Sequence, residues 1–546
     1  MRRYGIYIAF SPGSDLRKEG LGRVLAEFLC AAQDGEVRWT LACPSWLRES
    51  VRQLFEEGGV DPAKVELLAP PREPLALRLR RHLLARRGRR RRGLGLGRAL
   101  LGLRQRIASA LGAAEARLLA ATRLTPVLLV YVPTIALLFL AGLLLRGLER
   151  GVELAQSAAS WLGSQARRLA PIARLYALAR SPRTVPDAQR LYRVMLVAEL
   201  ERMHRLIARR PDIRAWYSPT VFWPSFHRIT APRLLCVPDI VVSDFAVGFA
   251  RLLDDRYLPQ FREVLDTVDG GTNFVTYSED AKWRVLVRGR GIDPEAITVI
   301  PHGANRLDKL LALPQAPDPG AAAEALSRQF LTAAFATTQM LGGRRPLASL
   351  DMRFLFYASQ SRPNKNILTL LRAYRHLLRD RLLGVRLVLT CHPDALPELR
   401  DFVIEQRLVD DVIFLHGLTQ QQLAACYRLA ELAVNPSLSE GGCPFTLTEA
   451  LSVGTPVVMA RIAVTEEVMR DPALQAISLF DPYDWRDMAR RIEWALANRA
   501  QLLAAQRSLY ETLARREWRH VVADHIALLD RIDAPADAAA GKEKAR

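Results

Sequence analysis

The chain has 546 residues, of which half are hydrophobic, so it can form several buried cores. Its six cysteines are scattered without a C-x-x-C pair or a Cys/His cluster, which argues against a disulfide framework and against a zinc site. The formal net charge is +20, but residues 72–183 alone hold 22 Arg, no Lys or Asp and four Glu, a net charge of +18. Since the rest of the chain is nearly neutral, the charge requires an explanation specific to this segment.

Residues 1–71 alternate short apolar runs with amphipathic sequence. IYIAF (6–10) and RWTLACP (38–44) have the composition of buried strands, and GRVLAEFLCAA (22–32) between them has the apolar spacing of a helix. The N-terminal sequence lacks the long apolar stretch and the small-residue cleavage site of a signal peptide. We interpret this region as a strand–helix–strand unit that opens a parallel α/β sheet.

Residues 72–185 are rich in Arg, Leu, Ala and Gly and contain no candidate strand. Within them, Leu124–Leu145 is a run of 22 residues without a charge, which as a helix of about 33 Å could cross a membrane. A single crossing conflicts with the strands predicted on both sides of the insert, and Pro133 can break the run into two arms. We therefore predict a helical insert that is re-entrant or lies in the membrane plane, with the arginines of 86–92 on anionic headgroups.

Two other interpretations of this insert are a buried hairpin with a solvated basic face and a nucleic-acid-binding arm. The uncharged run is long for a soluble protein, which favours the membrane over the hairpin. Aromatic side chains that could stack on bases do not alternate with the arginines, so we expect no nucleic acid partner. Gly93, Gly95 and Gly97 are spaced like a nucleotide-binding loop, but no strand precedes them.

Apolar runs with strand character return after the insert. They occupy residues 215–219, 233–240, 273–279 and 297–303, and then 353–359, 385–391, 411–417, 432–437, 455–460 and 477–482. Helical patterns such as ILTLLRAYRHLL (367–378) separate most of them. The sequence therefore predicts two doubly wound parallel sheets that are joined near residues 303–350.

The most specific motif is NPSLSEGGCPFTLTEALSVGTPVV at residues 435–458. A buried strand ends at its start, a turn carries Glu440, Gly441 and Gly442, and a helix begins near Thr446. This order places two carboxylates, Glu440 and Glu449, and a helix N-terminus at the carboxyl edge of a parallel sheet, where such folds bind ligands. The free backbone N–H groups of that helix start suit a diphosphate.

A second motif, SRPNKN at residues 361–366, follows the strand RFLFYAS and precedes a helix. Taken alone, it could be a solvated basic turn. Its position at a strand end and the acidic motif downstream favour a functional role for Arg362 and Lys365. Fixed cations of this kind can stabilise the negative charge of a leaving nucleoside diphosphate, Arg through bidentate contact and Lys as a point charge.

Together, the two motifs resemble the E-x7-E and R-x-x-K motifs of family 4 glycosyltransferases, the retaining GT-B enzymes, and in particular bacterial mannosyl- and glucosyltransferases of surface-glycan synthesis. The resemblance implies that Glu440 contacts hydroxyls of the donor sugar and Glu449 binds the nucleotide ribose. It also implies that Arg362 and Lys365 grip the donor diphosphate, so that Arg362, Lys365 and Glu440 form the catalytic set. The remaining donor-binding candidates in this half are Gly441, Gly442 and Thr448.

One departure from the family pattern is the spacing, because eight residues separate Glu440 from Glu449 instead of seven. We interpret the extra residue as a longer loop around Cys443 and Pro444. We expect it to affect the orientation of Glu440 toward the donor sugar more than that of Glu449 toward the ribose. Glu449 has an alternative role that needs no ligand, as the last residue of a capping box that begins at Thr446.

The first half of the chain resembles the family more loosely. Gly20 and Gly22 resemble the glycine-rich loop that approaches the donor phosphates, although tight strand–helix packing explains them almost as well. Asp239 follows Pro238 where many members have His-Asp, which leaves Asp239 as an acceptor-side candidate. Ser278 resembles a family serine at a strand end, and His302 stands in VIPHG where the family has VIPNG.

The resemblance implies an α/β fold of the GT-B type, with two Rossmann-like domains facing a cleft and a membrane-associated helical insert in the first. The expected parts are an acceptor-side domain (1–71 and 186–310), the insert (72–185), a linker (311–350), a donor-binding domain (351–505), a helix that packs back on the first domain (506–532) and a disordered tail (533–546).

The implied activity is retaining transfer of a hexose from UDP- or GDP-hexose to a glycan or lipid-linked acceptor. We expect a bacterial enzyme, peripheral or monotopic on the inner face of the cytoplasmic membrane, and anchored to anionic lipid through 72–185. No D-x-D motif lies in a suitable loop, so we expect neither a metal nor another cofactor. The alternative is a non-catalytic GT-B-like scaffold in a membrane glycan-assembly complex, which the longer acidic loop and the missing histidine favour.

Overall fold

The computed structural model describes residues 2–18, 20–74, 77–78, 110, 129–130, 132–141, 185–253, 257–338, 341 and 352–534. The chain divides into two units, Met1–Pro70 with Glu199–Arg546, and Pro71–Ala198. The larger unit contains two parallel sheets. The predicted disordered tail lies, from residue 535 onward, outside the described residues.

The first sheet has seven parallel strands in the order β3-β2-β1-β4-β5-β6-β7. The consecutive residues Ile6 and Tyr7 of β1 and Leu41 and Ala42 of β2, which point to opposite faces, are all buried, as expected for a parallel sheet that is covered on both faces. The strands are β1 (Arg3–Tyr7), β2 (Arg38–Ala42), β3 (Val65–Leu68), β4 (Ala215–Ser218), β5 (Arg233–Cys236), β6 (Phe274–Thr276) and β7 (Ile297–Val299).

The helices of this half connect those strands. They are α1 (Gly20–Ala32), α2 (Arg48–Gly58), α3 (Val185–Ile207), α4 (Val241–Asp244), α5 (Ala246–Leu253) and α6 (Tyr257–Asp269), followed by a π-helix (Ala281–Arg288). Every strand that we named from the apolar runs is present. β3 was not among them, because only Val65 of its four residues is fully buried and its apolar pattern is weak.

The second sheet has six parallel strands in the order β10-β9-β8-β11-β12-β13. Along β8, Leu355 and Tyr357 point into one hydrophobic core while Phe354 and Phe356 point into another, so helices cover both faces. This arrangement confirms the predicted doubly wound α/β fold. The strands are β8 (Phe354–Tyr357), β9 (Arg386–Leu389), β10 (Val412–Phe414), β11 (Leu432–Asn435), β12 (Val457–Ala460) and β13 (Leu479–Phe480).

One helix of this half lies inside the range that we predicted as a linker, residues 311–350. Leu331 and Phe335 of this helix belong to the buried core beneath the second sheet, so that stretch is part of the domain. Residues 339–340 and 342–350 of the range lie outside the described residues. The helices are α7 (Asp308–Leu311), α8 (Pro319–Thr337), α9 (Ile367–Arg379), α10 (Pro397–Glu405), α11 (Gln420–Leu429), α12 (Phe445–Ser452), α13 (Ala463–Val468), α14 (Pro472–Ser478), α15 (Trp485–Ala497), α16 (Arg499–Ala514) and α17 (Trp518–Asp533).

The last helix, α17, packs against the first sheet, although it follows the second sheet in sequence. The ring of His525 lies 5.3 Å from that of Phe28 on α1 and 5.1 Å from that of Tyr217 on β4. Burial lowers the pKa of His525 to about 4, so this imidazole is neutral at physiological pH. α17 therefore links the two ends of the chain through a hydrophobic contact.

Little of the Pro71–Ala198 unit is described. Residues 132–141 are helical, and the large apolar side chains of Leu137, Phe139 and Leu140 on this stretch are exposed, with Phe139 61% accessible. Among the helices that the described residues form, none combines the length and apolar character needed to span a bilayer. The arginine run 86–92, the two ends of Leu124–Leu145 and most of the insert lie outside the described residues.

Candidate functional site

The loop that carries the two predicted cations is held rigidly at the carboxyl edge of the second sheet. Pro363–Lys365 form a 3-10 turn, and the next residue, Asn366, takes a left-handed conformation with φ of 52°. The Asn366 side chain donates to the carbonyl oxygens of Pro436 at 3.1 Å and Pro482 at 2.8 Å. An Asn tolerates the left-handed region and bonds to nearby backbone, so it suits this position.

The acidic motif lies directly beside that turn. Lys365 Nζ is 2.8 Å from Glu440 Oε1, and each of the two side chains is about one-fifth exposed. The backbone N–H of Leu438 also donates to the carbonyl oxygen of Asn364 at 2.8 Å. Two predicted site residues that are 75 positions apart in sequence therefore form one charge-assisted hydrogen bond at the cleft.

Asp239 approaches this pair from the first domain, in the loop after β5. Burial raises the pKa of Asp239 and outweighs the nearby cations Lys365 and Arg362, which lower it, while the Glu440 carboxylate adds to the increase. The structure thus brings the acceptor-side candidate within electrostatic range of all three residues of the predicted catalytic set. A carboxyl group with a raised pKa can exchange a proton closer to neutral pH.

The two glycines after Glu440 contact the first domain. A side chain at Gly441 would overlap the backbone of Pro238, and one at Gly442 would overlap the side chain of Tyr277. Ser278 Oγ also donates to the carbonyl oxygen of Gly441 at 2.9 Å. These glycines are therefore explained by the close approach of the two domains, a role that the sequence prediction did not include.

Glu449 is the most buried charged group of the site, with a side chain only 2% exposed. Its Oε1 accepts from Arg23 Nη1 at 3.0 Å and from Asn305 Nδ2 at 3.2 Å, and Asn305 Oδ1 accepts from Trp518 Nε1 at 3.2 Å. A buried carboxylate needs such partners because an unpaired one would be strongly destabilising. Glu449 therefore joins α12 of the second domain to α1 of the first.

The alternative role for Glu449 in a capping box is wrong. The N-cap of α12 is Pro444, which has no side chain able to cap, so Thr446 lies inside the helix. Thr448 is buried; its hydroxyl donates to the carbonyl oxygen of Phe445 at 3.3 Å and lies 3.4 Å from the backbone N–H of Asn305. Thr448 is thus placed beside Glu449 but within the interdomain packing.

Arg23 and Asn305 were missed by the sequence prediction. Arg23 directly follows Gly20-Leu21-Gly22, and an arginine in a loop expected near phosphates was a usable signal. Asn305 lies two residues after the VIPHG motif and had no such signal. His302 in that motif lies between the rings of Tyr277 and Phe445, and burial lowers its pKa to about 3.

Gly20 and Gly22 differ in their surroundings. A side chain at Gly22 would overlap the backbone carbonyl of Leu16, whereas one at Gly20 would meet open space. Tight packing therefore explains Gly22, while Gly20 leaves room for a ligand near the start of α1.

This difference predicts opposite outcomes for two alanine substitutions. Gly22→Ala should lower the free energy of unfolding by about 1–3 kcal/mol, as overpacking typically does. Gly20→Ala, the matched control, should leave it within about 0.5 kcal/mol, since the site is open and Ala favours a helix. Urea denaturation of both variants measures the difference, and equal stabilities would show that Gly22 is not a packing residue.

The described residues contain no group of three or more His, Cys, Asp or Glu side chains placed to hold a metal ion. One group of charged side chains is formed by Arg362, Lys365, Glu440 and Asp239, and Glu449 lies in a separate contact with Arg23 and Asn305. This set can hold an anionic leaving group and orient sugar hydroxyls.

Comparisons with known proteins find similarity to glycosyltransferases. Residues 344–512 match the family model for glycosyl transferases group 1. The chain is 33% identical over 109 residues to the O-antigen chain mannosyltransferase RfbU of Salmonella typhimurium, covering 20% of this chain and 30% of RfbU. It is 30% identical over 186 residues to the MMP alpha-(1->4)-mannosyltransferase of Mycolicibacterium hassiacum, covering 33% and 43%. The chain thus spans less than half the length of these relatives.

Among solved structures, Anabaena HepE in complex with UDP-glucose aligns with a TM-score of 0.53 at 12% identity, covering 96% of this chain and all of HepE. At that identity, the likeness is one of fold. The matched segment begins just before β8 and contains Arg362, Lys365, Glu440 and Glu449. Residues 344–512 are therefore similar to the glycosyl transferases group 1 domain, and the chain has a GT-B fold.

Proposed function

We propose that this chain is a retaining, metal-independent hexosyltransferase that uses a UDP- or GDP-hexose as donor and a glycan or lipid-linked sugar as acceptor. The observation that carries the proposal is the cluster at the facing sheet edges, where Lys365 is paired with Glu440 at 2.8 Å and Asp239 lies across the cleft. The relatives named above, which are mannosyltransferases, support the choice of a hexose.

The proposed reaction replaces one bond at the anomeric carbon with another on the same face. The bond from that carbon to the diphosphate oxygen breaks, and its electrons stay with the diphosphate. The acceptor oxygen forms the new bond and its proton moves to the leaving phosphate oxygen. Arg362 and Lys365 stabilise the charge that develops on the diphosphate, and Glu440 holds a hydroxyl of the donor sugar.

Donor binding can be tested by thermal shift of the wild type and Glu449→Ala against UDP, GDP, ADP and their common sugar conjugates. One nucleotide should raise Tm selectively, by an amount that grows with its concentration over its Kd. Glu449→Ala should abolish that rise because the carboxylate that holds the ribose is gone.

The matched control is Glu511→Ala, which removes an exposed carboxylate on α16. It should keep the full nucleotide response. Folded wild-type protein that responds to no nucleotide would contradict the enzyme proposal and favour the scaffold alternative.

We also propose that the insert at residues 72–185 places the enzyme on the inner face of the cytoplasmic membrane, as a peripheral or monotopic protein. The +18 charge of the segment and the exposed apolar side chains of the helical stretch 132–141 support this. Basic residues attract anionic headgroups, and apolar side chains enter the acyl boundary. An acceptor linked to lipid would then meet the acceptor-side domain at the bilayer.

A further inference from the structure

A cavity of about 330 Å³ adjoins the candidate site, with Glu440 among its lining residues. Loops of both domains form it, after β5 and β6 in the first and after β11, β12 and β13 in the second. The residues that define its chemistry are Asp244, Phe245, Asp280, Arg284, Glu440 and Tyr483. Because Glu440 forms part of its wall, a molecule in this cavity would touch whatever Glu440 holds.

The cavity has an excess of negative charge. Arg284 Nε is 3.1 Å from both carboxylate oxygens of Asp280, and Arg284 Nη1 is 3.2 Å from Asp244 Oδ2. The guanidinium is therefore shared between two carboxylates, which leaves one negative charge in excess, whereas the Glu440 carboxylate is paired with Lys365 at 2.8 Å. An anionic group would be repelled here, while neutral hydroxyl groups could donate to the carboxylate oxygens.

Two aromatic side chains line the cavity. Tyr483 is 78% exposed, so burial in the protein core does not explain this ring, and Phe245 lies on the same cavity. A sugar ring carries hydroxyl donors at its edge and apolar C–H groups on its faces, which match carboxylates and an aromatic ring respectively. The volume lies at the lower end of the roughly 300–1,000 Å³ typical of small-molecule sites. It fits the end of a glycan and leaves a lipid portion outside.

We propose that this cavity binds the terminal sugar of the acceptor and selects an uncharged one, rejecting a sugar that bears a phosphate. The inference rests on the proposed function, since Glu440 would present the donor hexose at the wall where the acceptor hydroxyl arrives. Arg284 acts here as a specificity-determining residue, because its pairing with Asp244 and Asp280 keeps it from attracting an anion.

The test is direct binding measured by saturation-transfer NMR on the full chain, with methyl α-D-mannopyranoside and methyl α-D-glucopyranoside as neutral probes and mannose 6-phosphate as the anionic probe. The wild type should bind a neutral probe about tenfold more tightly than the phosphate. The double variant Asp244→Asn/Asp280→Asn should reverse this preference, because Arg284 loses both carboxylate partners and becomes a phosphate ligand.

The control variant, Asp34→Asn/Asp380→Asn, neutralises two exposed, ion-paired aspartates elsewhere and should keep the wild-type preference. Nucleotide affinity, measured on the same samples, separates the two proposals. Failure of the wild type to bind any nucleotide would contradict the proposed function alone. Any of three results would overturn the assignment of this cavity. The wild type could fail to bind a neutral sugar, the double variant could keep the wild-type preference, or the double variant could bind the nucleotide-sugar more weakly.

Discussion

Replacing Lys365 with alanine is expected to lower kcat for hexose transfer by about 10²–10³-fold, the usual cost of removing one preorganised group from a developing charge. The ammonium lies 2.8 Å from Glu440 and 3.4 Å from Ser437 Oγ, in a turn that hydrogen bonds hold at the sheet edge. The negative charge on the diphosphate grows as the glycosidic bond breaks. Removing the ammonium that stabilises this charge should therefore lower kcat and change the KM of the donor less.

Some loss of stability is also expected, because each member of the pair is only about one-fifth exposed and the variant leaves the Glu440 carboxylate without this partner. Lys365→Arg keeps the charge and should recover part of the rate. Lys64→Ala, which removes an exposed lysine paired with Asp34 outside the cleft, is the matched control and should keep full turnover. Steady-state kinetics on these variants and on Arg362→Ala test the roles of the two cations. Unchanged turnover in both Lys365→Ala and Arg362→Ala would show that neither cation stabilises the leaving diphosphate.

The sheets were predictable from the sequence because parallel strands in this fold are buried on both faces. Runs such as RFLFYAS and DVIFLHG show no alternation of polar and apolar residues, and each contains a strand whose residues are buried. The candidate motifs were predictable for a related reason. Strand ends of a parallel sheet share one edge, so residues after β8 and β11 had to lie near each other.

The contacts between domains could not be predicted in the same way. Arg23 and Glu449 are 426 positions apart on different sheets, and only the docking of the two domains pairs them. Gly441 and Gly442 have a glycine-rich signature that fits either a phosphate or a close backbone, and the structure shows the close backbone of Pro238 and the side chain of Tyr277. Patterns of period 2 or 3.6 carry no information about such docking.

The pairing of Glu449 with Arg23 also bears on the proposed donor site. A ribose that binds Glu449 has to share its Oε1 with Arg23 and Asn305 or displace one of them. Nucleotide binding would then act on the same contact that joins α1 to α12. If Glu449 binds the ribose as proposed, donor binding and the contact between the two domains would be energetically linked through this carboxylate.

Replacing the six arginines of residues 86–92 with glutamine is expected to weaken binding to anionic vesicles by about 10⁴-fold, since each basic residue near such a surface contributes about 1 kcal/mol. The loss should be smaller at high salt, where the wild type itself binds less because charges are screened. Sedimentation with phosphatidylcholine vesicles that contain 30% phosphatidylglycerol measures the partition coefficient.

The control variant changes the same number of exposed arginines outside the insert and should bind vesicles like the wild type. These are Arg52, Arg353, Arg381, Arg400, Arg490 and Arg519. Pure phosphatidylcholine vesicles separate the two parts of the interaction, because only the apolar side chains of the insert, such as Phe139, can act there. Equal loss in both variants would show that net charge alone drives binding, whereas retention by the 86–92 variant would place the anchor elsewhere in the chain.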